Sequence, residues 1–302
     1  MPLPAENPLR TGRMRLPQGA VFWHEGGRPQ GEATIFLHGS WQDSTQWLPL
    51  MPHLTPQHHY LAPDLLGFGE SSRPSAYSIA LQVDCLHSLL SALRIYRCRL
   101  VGHSLGAWMA GQYALTYPDQ VLSLAVLAPE GVNAAGIGGR WRRDRWLVAP
   151  WSPLPLVLPW LGKSPWAKAL RDRRRCLRQS PAACKLLFQR RAAAIKGEQL
   201  GANLGQLTAP TLVLGSAAAD PVNHRLAQTW LHHLHAPQYA ELTPADVPLG
   251  VDSAELAAAL QSAWAQPCQG QIIPGGDRTN VNQFLTFNSA HSQNVTPLGQ
   301  RV

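Results

Sequence analysis

The sequence predicts an α/β protein: a doubly wound, mostly parallel sheet with an inserted helical cap. Three observations carry this. Short apolar runs recur along the chain, helical stretches alternate with them, and the alternation breaks once over a stretch crowded with tryptophan, proline and arginine. Strands alternating with helices favour a parallel sheet covered on both faces. The 302 residues are 45% hydrophobic, enough for a large core. One enlarged domain, or a core plus a cap, fits this length better than two equal domains.

The expected strands are "ATIFLHG" (33–39), "HYLAPD" (59–64), "CRLVGHS" (98–104), "LSLAVLAP" (122–129), "PTLVLG" (210–215) and "QYAELT" (238–243). Several are apolar at successive positions, the pattern of strands buried on both faces. A helix is expected over 78–95, with apolar residues at 79, 83, 86, 89, 90 and 93, spaced by about three and four. A second covers 106–118 and ends at Pro118. A third covers 253–265, with Ser253 as its expected cap. The break, over 135–200, is the expected cap, inserted between the strands "LSLAVLAP" and "PTLVLG" of the implied sheet. The core is then 1–134 with 201–266. The polar, weakly periodic tail 267–302 has the composition of a disordered segment.

The net charge of +8 is unevenly spread. Residues 137–200 hold 15 Lys and Arg against Asp144, Asp172 and Glu198, so a basic segment is set on a slightly acidic body. Five cysteines (85, 98, 176, 184 and 268) lack metal-type spacing and read as reduced thiols of a cytoplasmic protein. The N-terminus has no apolar core of a secretory signal. The longest apolar stretch, 146–162, is broken by four prolines and is too interrupted to span a membrane. No HExxH motif or phosphate-binding glycine loop occurs, and no cofactor is expected. A nucleic-acid partner would need a recognisable binding module, and none is present.

The chemistry gathers at Gly102-His103-Ser104-Leu105-Gly106, a G-x-S-x-G with a strand before it and a helix after it. In that setting Ser104 sits on a sharp turn, and bulk at 102 or 106 would strike neighbouring backbone. The N-terminus of the following helix offers free N–H groups and a positive dipole end. The plainer alternative is a tight turn that holds a serine. An acyl-transfer nucleophile also needs donors for an oxyanion. The strand ending at His38-Gly39 leads to Ser40, whose N–H can pair with that of Leu105. His38 is placed to orient this loop, and Trp41 and His103 are candidate substrate-binding residues. His103 also reads as a packing residue behind the turn.

Taken with "APDLLGFGESSRP" (62–74) and "PTLVLGSAAADPV" (210–222), these segments resemble the cap-bearing branch of the α/β-hydrolase superfamily over about residues 20 to 265. The resemblance implies a nucleophile, an acid and a histidine in that order along the chain. Ser104 matches the nucleophile. Asp220, after "TLVLG", matches the acid, with a spacing from Gly215 slightly longer than usual; its alternative is a loop aspartate before a proline. Glu130 is the reserve acid, or else caps a loop or pairs with a cap arginine. Members of the superfamily that cleave carbon–halogen bonds or epoxides use a carboxylate nucleophile, and position 104 is serine.

The superfamily's histidine has no counterpart. Asp246 stands where it is expected, and no histidine occurs between 236 and 290. His224 and His291 are substitutes by position only, and His232, His233 and His235 are expected on the surface of the helix before the last strand. The resemblance therefore supports hydrolysis of an ester-like bond in a small, fairly apolar substrate. The alternative is a catalytically impaired relative that binds a ligand or partner. An atypical C-terminal ending is a third reading. The tryptophans and arginines of the insertion have three readings: contact with an anionic membrane surface, a roof over the substrate, or a lid with solvated arginines.

Overall fold

The computed structural model describes residues 9–137, 139–149, 152, 164–216, 220–245 and 249–265. The expected tail, Asp246, Cys268 and His291 lie outside the described residues.

Eight strands form one sheet in the order β1-β2-β4-β3-β5-β6-β7-β8. They are β1 (Arg10–Leu16), β2 (Gly19–Gly27), β3 (Ala33–Leu37), β4 (His59–Pro63), β5 (Cys98–His103), β6 (Val121–Leu127), β7 (Thr211–Ser216) and β8 (Gln238–Leu242). The six expected strands are β3 to β8, all parallel to one another. β1 and β2 are an antiparallel addition beyond those six apolar runs. In β1, Arg10, Arg13 and Arg15 give a charged edge of the kind that blocks further pairing, and that charge hides the strand from a search for apolar runs.

Side chains of the central strands alternate between two cores. Ile35, Leu37, Leu100, Leu124, Val126 and Val213 pack into one, and Phe36, Val101, Ala125, Leu127, Leu212 and Leu214 into the other. Both faces are covered, so successive positions are apolar. The first core takes in α1 (Ile79–Ala92) and α2 (Leu105–Thr116).

Between β6 and β7 lie α3 (Arg142–Val148), α4 (Pro165–Gln179), α5 (Pro181–Cys184), a π turn at Lys185–Gln189, and α6 (Ala192–Gly197). Leu147, Leu170, Leu177, Phe188 and Ile195 of this insertion are buried in the first core. α7 (Pro221–His233) adds Leu226 and Trp230 to the same cluster, and α8 (Ser253–Ala265) brings Leu256 and Leu260 to the other face. His235, expected on the helix before the last strand, instead falls beyond the end of α7. The cap of α8 is also corrected. The Asp252 carboxylate accepts the Glu255 N–H at 2.8 Å, while the Ser253 hydroxyl is buried without a partner. A carboxylate one residue earlier reaches the free amides of the first turn.

The four described cysteines are unpaired thiols. Among the described residues no helix is long and apolar enough to cross a membrane, and no cluster of three or more potential ligands could hold a metal.

Candidate active site

Ser104 joins β5 to α2 with φ 51° and ψ −111°. A non-glycine residue rarely adopts positive φ, and such strain costs about 1–3 kcal/mol and persists only where the surroundings hold it. Here they do. The Ser104 N–H donates to the Leu127 carbonyl at 2.9 Å, and the Ser104 carbonyl accepts from Ala107, Trp108 and Glu130 N–H at 3.1–3.2 Å. The flanking glycines are required by space. A Cβ on Gly106 would lie 2.2 Å from the Leu37 carbonyl oxygen, and one on Gly102 2.5 Å from the Ala107 Cα.

The Gly106 N–H donates to the His38 carbonyl at 3.1 Å, which ties the elbow to the end of β3. The β3 loop is thereby brought to the serine, and Ser40 Oγ lies 3.3 Å from Ser104 Oγ. Ser40 and Leu105 are buried, and no described group accepts a hydrogen bond from the N–H of either. Buried amides are almost always paired. Two unpaired ones beside a half-buried, strained serine leave room for an acceptor supplied from outside.

The expected acids behave differently from each other. Asp220 is exposed and caps α7, its carboxylate accepting the Val222 N–H at 3.2 Å. Glu130 is buried and paired with Arg140, the partner its alternative reading anticipates. Burial pushes the Glu130 carboxyl up and Arg140 pulls it back down.

No described imidazole hydrogen-bonds to Ser104 Oγ; its described partner is the Ser40 hydroxyl. His103 faces Gln46, Nδ1 to Oε1 3.4 Å, and burial together with nearby His38 pushes it down to about 4. It also borders a cavity of about 200 Å³ at the carboxyl ends of β6 and β7, shared with Asp220, His224, Tyr239 and Gly250. The geometry thus gathers His103, Asp220 and His224 around one cavity, with His232, His233 and His235 elsewhere.

Above the β3 loop, Trp41 meets Trp141 edge-on at 6.2 Å, and Trp141 stacks on Phe188 at 5.4 Å. The guanidinium of Arg173 lies 4.8 Å over Trp41 and that of Arg140 4.9 Å over Trp141. Asp144 holds Arg173 through two hydrogen bonds, at 3.1 and 2.5 Å. Gln46, which takes the Gly39 N–H at 3.1 Å, is not legible in the sequence because a single buried glutamine in a short 3₁₀ turn (Ser44–Trp47) has no motif.

A sequence model described as the alpha/beta hydrolase family matches residues 34–259. The chain belongs to that family. It is an α/β hydrolase whose match takes in the elbow, the β3 loop and the helical insertion. Among curated relatives, an uncharacterised protein of Mycobacterium tuberculosis is 40% identical over 104 residues, 34% of this chain and 30% of that protein. The 2-hydroxymuconate semialdehyde hydrolase of a Pseudomonas species is 35% identical over 108 residues, 34% of this chain and 38% of the relative. The matched region thus spans about a third of these relatives' length. A haloalkane dehalogenase of Mesorhizobium japonicum is 31% identical over 127 residues, covering 42% of this chain and 41% of that protein. Among solved structures, a bacterial membrane phospholipase A superposes with TM-score 0.66 at 25% identity, covering 85% of this α/β hydrolase and 86% of that chain. A 2-hydroxy-6-oxo-6-phenylhexa-2,4-dienoate hydrolase of Rhodococcus superposes with TM-score 0.67 at 17% identity, covering 86% and 100%, and shares the fold.

Proposed function

We propose that this α/β hydrolase is serine-type and cleaves an ester-like bond in a small, fairly apolar substrate. One observation carries the reading: the strained Ser104 hydroxyl stands beside the unpaired buried amides of Ser40 and Leu105. Ser104 Oγ attacks the carbonyl carbon and loses its proton to a base. The negative charge that forms on the carbonyl oxygen is received by the two N–H groups, which need no reorganisation at that moment. Collapse expels the alcohol, whose oxygen takes the proton back from that base; water then gives a proton to the same base, adds to the acyl carbon and releases the acid, and Ser104 recovers its proton. Trp41, with Trp141 beside it, supplies the apolar wall. In this reading α3 to α6 act as a cap over the site, and the free thiols fit a reducing cytoplasm.

A second reading, an impaired relative that only binds, is favoured by the absence of a described imidazole at Ser104 Oγ. A poor proton acceptor leaves a serine hydroxyl a weak nucleophile. The test is labelling with a fluorophosphonate, comparing wild type with Ser104→Ala, alongside turnover of p-nitrophenyl acetate. Ser104-dependent labelling with turnover supports the hydrolase. A folded protein without labelling supports the binding reading.

We also propose a peripheral contact with anionic membrane through α3 and α4. Trp146 and Trp166 are 41% and 58% exposed, and Arg142, Arg143 and Arg175 are exposed on the same two helices. Co-sedimentation with phosphatidylglycerol vesicles, absent with phosphatidylcholine and reduced by salt, is expected. Failure to sediment with either vesicle at low salt rejects the contact.

A further inference from the structure

Gly39 is held from several directions, through the peptide before it and the peptide after it. The Gly39 N–H donates to Gln46 Oε1 at 3.1 Å. The Gly39 carbonyl lies 2.9 Å from His38 Nδ1. The other ring nitrogen, His38 Nε2, receives the Leu65 N–H at 3.0 Å. A backbone N–H can only donate, so Nε2 is the acceptor and carries no proton. The ring is fully buried, and burial holds it below its ordinary value, so it is neutral with its single proton on Nδ1. That proton donates to the Gly39 carbonyl. On another side, a Cβ at Gly39 would fall 2.5 Å from His103 Nδ1, so the backbone is hemmed in there too.

The consequence follows from peptide geometry. In a trans peptide the carbonyl of one residue and the N–H of the next point in opposite directions. Holding the Gly39 carbonyl against the His38 ring therefore turns the Ser40 N–H away from it. No described group accepts that N–H, and the side chain of the same residue meets Ser104 Oγ at 3.3 Å. We infer that His38 and Gln46 form a two-sided clamp on Gly39 that aims the Ser40 N–H at the oxygen of a substrate on Ser104. Both are positioning residues: neither touches the reacting atoms. Gln46 acts through its oxygen alone, because its buried Nε2 has no partner. The inference rests on the hydrolase reading for its catalytic consequence, but the clamp itself has a readout that does not.

That readout is the ring tautomer. In protein labelled with ¹⁵N-histidine, His38 is expected as the Nδ1–H form at pH 7, with Nε2 unprotonated. A His38 ring protonated on Nε2 overturns the clamp whether or not the protein turns over an ester. The kinetic arm uses p-nitrophenyl acetate, with rates normalised to sites titrated by the fluorophosphonate. Gln46→Leu removes the acceptor for Gly39 and is expected to lower kcat roughly 10- to 100-fold with KM within about threefold, short of the loss of a whole oxyanion donor. Gln46→Glu keeps an acceptor oxygen and sacrifices no hydrogen bond; burial favours its uncharged carboxyl, and at a pH where that carboxyl is protonated it is expected to recover most of kcat. His38→Asn keeps a donor near Nδ1 and loses the Leu65 contact, and is expected between wild type and His38→Leu. If kcat in these variants tracks melting temperature alone, or if Gln46→Glu with its carboxyl protonated is as poor as Gln46→Leu, the positioning role is rejected. If the wild type neither labels nor turns over ester, the hydrolase reading fails, and the tautomer alone decides the clamp.

Discussion

The hydroxyl oxygens of Ser40 and Ser104 face each other at 3.3 Å, one at the end of β3 and the other at the end of β5. Two segments from adjacent parallel strands thus meet at this hydrogen bond as well as at that from the Gly106 N–H to the His38 carbonyl, and the proposed oxyanion donors flank it. The hydroxyl of Ser40 and its N–H have different roles, which separates them experimentally. Ser40→Ala keeps the N–H and removes only the side-chain partner. A hydrogen bond of this kind between neutral groups contributes about 0.5–1.5 kcal/mol. Fluorophosphonate labelling of Ser40→Ala is therefore expected to slow by about tenfold at most, while Ser104→Ala abolishes it. Complete loss in Ser40→Ala would give the hydroxyl a role in proton transfer that this geometry does not assign.

The elbow glycines make a prediction about stability. Ala at 106 places a methyl 2.2 Å from the Leu37 carbonyl oxygen, and Ala at 102 places one 2.5 Å from the Ala107 Cα. In both cases backbone must move, and forced insertion of this kind costs about 1–3 kcal/mol or more. Gly197, at the end of α6, has nothing within 4 Å of where a methyl would sit. Gly197→Ala is expected to be neutral or to stabilise by up to about 1 kcal/mol. Urea midpoints of the three variants check the ordering.

Arg140 reaches from the insertion to buried Glu130, whose own N–H is bonded to the Ser104 carbonyl. Arg140→Met leaves the carboxylate buried without its counter-charge. Removing one partner of a buried pair costs about 3–5 kcal/mol, and the partial exposure of Arg140 places this case toward or below the lower end. Without Arg140, only the effect of burial remains, and it raises the Glu130 carboxyl. A raised carboxyl favours the folded state at low pH and loses that advantage as pH rises past the unfolded value. The gap in melting temperature between Arg140→Met and wild type should therefore be widest near pH 7 and narrow toward pH 4.

The sheet and the elbow were legible because each is dictated by local chemistry. Ile35, Phe36 and Leu37 are apolar in succession since the strand is covered twice, and Gly102 and Gly106 flank Ser104 since nothing larger fits. β1 was not legible: its arginines advertise a solvated edge, and only pairing with β2 makes it a strand. Within the site, Ser104, Ser40 and Leu105 follow from the turn and the chain order. Gln46 does not, because its partner Gly39 is fixed by tertiary contact alone; for Glu130 the sequence offers a cap arginine as partner, and tertiary contact selects Arg140 among them. Asp220 illustrates the remaining ambiguity: the residue pattern suits both an acid and a helix cap, and its hydrogen bond to the Val222 N–H is that of a cap.

Two imidazoles at the site, buried His38 and half-buried His103, give the protein an acid-sensitive limb. His103 is held down to about 4 by burial and by its neighbour His38, and burial lowers His38 as well. An unfolded chain binds protons at these rings near the ordinary value of 6.5, whereas the folded protein refuses the His103 proton until about pH 4. Between those limits the unfolded state holds more protons, so stability rises with pH and is lost as the pH falls. A shift of this size corresponds to roughly 3 kcal/mol for His103, all of it present above about pH 6.5. Melting temperature is therefore expected to fall steeply from pH 6.5 to 4. His103→Gln has no proton to take up and should flatten that slope, leaving the part due to His38. A His103→Gln variant as acid-sensitive as wild type would mean that the His103 ring is solvated, and that the contact it makes with Gln46 behind the proposed oxyanion loop does not persist in solution.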